Sequence, residues 1–98
     1  MIATYPKLDR ALARAEKRGI EAVKPATGKE PGPFAILCTH YYYGCREVTL
    51  PLTDEGGRNP ELFASYEEAK KMVQSMDDCI YYLSHNESGR PIYTIIAL

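Results

Sequence analysis

The chain predicts an α+β fold: an N-terminal helix followed by a β-β-α-β-β unit, a mostly antiparallel four-stranded sheet with a helix packed on one face. Three observations lead there. Ninety-eight residues, 45% hydrophobic and 26% charged, suit a single domain (1–98) that buries about 65% of its extended surface on folding. A strong helix-start signal at Ser65 is flanked on both sides by segments rich in β-branched and aromatic residues. Three prolines and two glycines in residues 24–33 separate a basic helical arm (1–23) from a β-β-α-β-β core (34–98).

Lys7 to Arg18 reads as the first helix. Leu8, Leu12 and Ala15 recur along one helical face, and Gly19 provides the stop, with Lys17 and Arg18 favourably near the negative helix end. Thr4 or Asp9 is the expected cap. Residues 24–33 form an extended crossing. FAILCTHYYY and REVTLPL then read as two strands about Gly44, with Val48, Leu50 and Leu52 on one face and Glu47 and Thr49 on the other. Pro51 has no amide hydrogen for a ladder, which places the second of these strands at an edge or at its own end.

After the polar stretch TDEGGRNP, Ser65-Tyr66-Glu67-Glu68 fits a capping box, in which Ser65 accepts from the amide of Glu68 and the Glu68 carboxylate reaches back. Tyr66, Ala69, Val73 and Met76 form a stripe to face the sheet, while Lys70, Lys71 and Gln74 face solvent. Asp77 and Asp78 oppose the helix dipole, so the chain is expected to turn there into a strand, CIYYLS. HNESG then closes a hairpin to RPIYTIIAL.

Composition and motifs exclude several functions. Twelve basic and thirteen acidic side chains rule out a generally basic nucleic-acid binder. The distribution is uneven, however. Residues 1–33 carry seven basic and four acidic groups, and the remainder five and nine. Three cysteines in an ordinary composition do not resemble a secreted disulfide scaffold. With no basic-then-apolar leader and no apolar run near the length of a membrane helix, a cytoplasmic location without membrane partners is the expectation.

Cys38, His40, Cys45 and Cys79, with His85, are chemically suitable zinc ligands, but their spacing lacks a tight paired knuckle. A cysteine nucleophile lacks an activating helix N-terminus. The adjacent carboxylates Glu67–Glu68 and Asp77–Asp78 diverge or cap rather than frame a cleft. GKEPGP has neither the pattern nor the amide donors of a phosphate loop. No catalytic residue, metal ligand or cofactor is therefore assigned.

Two surfaces remain. Tyr41, Tyr43, Tyr81 and Tyr93 lie on expected strands, where one subset would decorate an open sheet face. The N-terminal helix, a second copy or a partner would have to cover that face. Arg10, Arg14, Lys17 and Arg18 recur at helical spacing and would guide an acidic partner. The sequence thus points to a small non-catalytic interaction or regulatory protein that binds another protein, or itself as a homodimer, through these eight residues. The alternative is an RNA or single-stranded DNA module that stacks bases on the sheet aromatics and contacts phosphates from the basic helix. A third reading is a small enzyme or zinc-stabilised module built on Cys38, His40, Cys45 and Cys79.

Overall fold

The computed structural model describes residues 5–42, 46–83 and 91–98, with side chains described throughout except at 41, 42, 46 and 77–83. In chain order the elements are α1 (Pro6–Arg18), one 3-10 turn (Ile20–Ala22), β1 (Phe34–Tyr42), β2 (Arg46–Pro51), α2 (Tyr66–Leu83) and β3 (Ile92–Ala97).

Pro6 opens α1, where its missing amide costs nothing and its fixed φ suits the first turn. The N-cap position is Tyr5, without a side-chain cap, and Asp9 lies one turn inside the helix. Thr4 lies outside the described residues. Gly19 ends the helix as expected, its amide donating to the Ala15 carbonyl at 2.8 Å. Its φ of 89° and ψ of 162° belong to a region essentially reserved for glycine.

The sheet has three antiparallel strands in the order β2-β1-β3, not four. The β-β-α-β-β expectation fails at residues 79–83, which continue α2 rather than forming a strand. Period outweighs composition here. The stripe of Tyr66, Ala69, Val73 and Met76 extends in sequence at the same three- and four-residue steps to Ile80 and Leu83. Against that continuity, Asp77 and Asp78 cost only a few tenths of a kcal/mol each. The expected hairpin turn at HNESG lies outside the described residues.

The start of α2 follows its signal with one change. The Glu68 amide donates to Ser65 Oγ at 3.2 Å, whereas the Glu68 carboxylate accepts from the Ala64 amide rather than that of Ser65. Ala69 is buried, Tyr66, Val73 and Met76 pack on the core, and Lys70, Lys71 and Gln74 are exposed.

β1 is the central strand, and its sequence shows why. Phe34, Ala35, Ile36 and Leu37 are consecutive apolar residues, all buried. Phe34 and Ile36 pack with Ala69, Tyr66 and Val73 of α2; Ala35 and Leu37 pack with Leu8 and Ala15 of α1 and with Ile96. The helices therefore lie on opposite faces of the sheet, with α1 covering the face that α2 leaves open. The outer edge of β3 is partly occupied. Ala26, in the connection 24–33, donates to the Ile95 carbonyl at 2.7 Å beside β3. On the β2 side of β1, past the end of β2 at Pro51, Phe63 exchanges two backbone hydrogen bonds with Phe34 after the chain has turned back at residues 53–60.

β2 is an edge strand ending at Pro51, as its proline requires. Its polar face is the one turned to α1. Thr39 is fully buried opposite Thr49, and their hydroxyls are 2.9 Å apart. On the other face Leu50 remains 58% exposed.

Candidate functional site

Of the eight residues singled out from the sequence, the structure describes the side chains of the four basic residues and of Tyr93. Tyr93 lies on β3 opposite Cys38 and packs with the Phe34–Ile36 core beneath α2. Tyr81 lies on α2, which corrects its placement on a strand. Tyr41 ends up opposite Glu47 on β1, its side chain outside the description, and Tyr43 lies outside the described residues. The open four-stranded face on which these rings were to be gathered is not part of the architecture.

The basic residues fare differently. α1 buries Leu8 and Ala15 against the sheet, which turns Lys7, Arg10, Arg14, Lys17 and Arg18 to solvent. Beyond α1, the 3-10 turn leads the chain through residues 23–26 to the outer edge of β3. These residues and α1 border a cleft of about 390 Å³, whose charged lining is Lys7, Arg10, Arg14, Lys24 and Glu30. Ala11, Val23, Pro25, Ala26 and Ile96 supply its apolar surface. Lys17 and Arg18, in the last turn, stand outside it. Sequence reasoning found Arg10 and Arg14 but missed two cations. Lys7 precedes Arg10 by three residues, a legible helical signal. Lys24 comes from the connection, and only the return of the chain brings it there.

Local bonding holds the site in shape. The Arg10 Nε donates to the Pro6 carbonyl at 3.4 Å, which steadies the stem while both Nη groups remain for a ligand. On the connection, Glu30 accepts from the amides of Thr27, at 3.0 and 3.1 Å, and Gly28, at 3.0 Å. The Thr27 amide leads the donors that hold the Glu30 carboxyl below the ordinary glutamate range. This glutamate at the edge of the cleft is therefore satisfied by its own turn rather than by the four cations. Among the described residues those cations have no ion-pair partner, and their combined field favours an anionic visitor.

The cysteine and histidine set is only partly described, and its described members lie on different elements. Cys38 and His40 share the α2-facing side of β1, Cys79 lies on α2, and Cys45 and His85 lie outside the described residues. Among the described residues no group of three histidine, cysteine or acidic side chains is placed to hold a metal ion. Burial raises the Cys38 thiol pKa, the reverse of what a nucleophile needs. No helix among the described residues is long and apolar enough to cross a membrane. No protein-family model matches the chain, and a search of the curated proteins finds no match.

Proposed function

We propose that this protein is a small non-catalytic interaction module that binds another protein through the basic face of α1. The observation that carries the reading is the convergence of Lys7, Arg10, Arg14 and Lys24 on one cleft, with Lys17 and Arg18 extending the same charge beyond it. Long-range attraction from such a cluster raises encounter rates, and the bidentate guanidinium groups favour carboxylates on arrival. The role first given to the sheet tyrosines passes to the helix, because α1 and α2 occupy the two faces of the sheet.

The test is recovery of partners from nuclease-treated native extract by the full chain and by R10E/R14E, followed by direct titration of each recovered protein after purification. A purified partner that binds the parent chain and loses about tenfold or more affinity for R10E/R14E supports the reading. Partners indifferent to the two arginines, or captured only when nucleic acid is left intact, refute it.

A further inference from the structure

We infer that the cleft between α1 and residues 23–26 receives a short extended segment of a partner protein in which aspartate or glutamate side chains flank an aliphatic one. The inference rests on the reading of this protein as a binding module working through α1, and adds the chemistry of what it binds.

The cations are suitably spaced for such a segment. Arg10 and Arg14 are one turn apart, about 6 Å along the helix axis. Alternate side chains of an extended peptide recur about every 6.7 Å, so two carboxylates separated by one residue meet two successive guanidinium groups. Lys24 lies across the cleft from α1 and adds a third positive group on the opposite wall.

The floor chooses protein over nucleic acid. Ala11, Val23, Ala26 and Ile96 are aliphatic and small, a surface that receives one aliphatic side chain. Among the described residues no aromatic ring lines the cleft, so a base would find no stacking platform beside the phosphate contacts. With both carboxylates turned to Arg10 and Arg14, the side chain between them points the opposite way, towards Val23, Pro25 and Ala26 of the connection.

Display of random short peptides on the immobilised full chain, with counter-selection against R10E/R14E, tests this. Selected peptides are then synthesised and titrated by fluorescence anisotropy against the parent, R10E/R14E and A11Q, a change that keeps helix propensity and fills the floor. The expected consensus is acidic–aliphatic–acidic. Its affinity should fall about tenfold or more in R10E/R14E and several-fold in A11Q, and should weaken as salt is raised. Circular dichroism of both variants verifies that they fold. Should A11Q unfold, competition by the same peptide with its aliphatic residue changed to serine reads the floor instead.

Failure to enrich any consensus, enrichment of non-acidic sequences, or equal binding to R10E/R14E overturns the inference. So does a single-stranded oligothymidylate that binds the cleft more tightly than the selected peptides, or a second copy of the chain that occupies it, seen as a concentration-dependent mass abolished by R10E/R14E. If the peptides fail while a purified partner still depends on Arg10 and Arg14, only the inference falls. Loss of that partner as well removes the proposed function itself.

Discussion

Glu47 shows how much a single side chain can organise here. Its carboxylate accepts the Ile20 amide at 3.1 Å, just where the chain leaves α1, and a Cβ built on Gly19 would stand 3.2 Å from the same oxygen. A strand residue thus fixes the exit of a helix. Replacing Glu47 with Ala should cost about 1.5–3 kcal/mol, the range for hydrogen bonds to charged groups. Gly19→Ala should cost about 1–3 kcal/mol through its backbone conformation alone. Denaturant unfolding of both variants measures these losses. At Cys38, the raised pKa predicts slower alkylation in the native protein than in the unfolded chain at neutral pH, with site-resolved mass spectrometry separating it from the other two cysteines. Glu30 sets a pH dependence of opposite sense. Its lowered native pKa stabilises the fold above the ordinary glutamate range, and that contribution disappears as pH falls through the native value. The stability difference between the parent chain and Glu30→Gln should therefore shrink in acid; a difference that grows there would contradict the assignment.

Among the elements, α2 tests most sharply what residue patterns can reveal. Its start is legible in Ser65 and Glu68, and its buried stripe in Tyr66, Ala69, Val73 and Met76. Its length is not, because Cys79-Ile80-Tyr81-Tyr82-Leu83 has the composition of a strand and follows two aspartates that suit a helix end. The continuing three- and four-residue rhythm is the better guide, since it decides whether apolar groups stay on one side of the helix. Ile80→Pro should therefore cost about 3 kcal/mol or more by removing a helical hydrogen bond. Helical Cα chemical shifts across 77–83 are expected in the parent chain, and extended-strand shifts there would refute the assignment. β1 is recognisable as a strand in FAILCTHYYY, but its central position follows from both faces of Phe34–Leu37 being apolar. For the cleft, the spacing of Arg10 and Arg14 was readable along one helix. Lys24 was not, because its contribution depends on tertiary return of the connection.

Across the whole molecule, the two packed layers share one strand. Ile36 supports the α2 side and Leu37 the α1 side, and both are fully buried. Truncating Ile36 to Ala should cost about 2–5 kcal/mol. Because β1 connects the layers, hydrogen exchange in α1 and α2 should report loss of protection together rather than one helix melting alone. The shape of the basic cleft depends on the same unity, since Ile96 of β3 lines it and packs with α1. The pairing of Phe34 opposite Ala97 carries a further consequence for biosynthesis. While a ribosome has yet to release residues 92–97, β1 lacks its neighbour on one side and α1 lacks Ile96. The emerging chain must therefore wait for those residues before it can close this layer, and the basic cleft that Ile96 lines is complete only after synthesis has passed them.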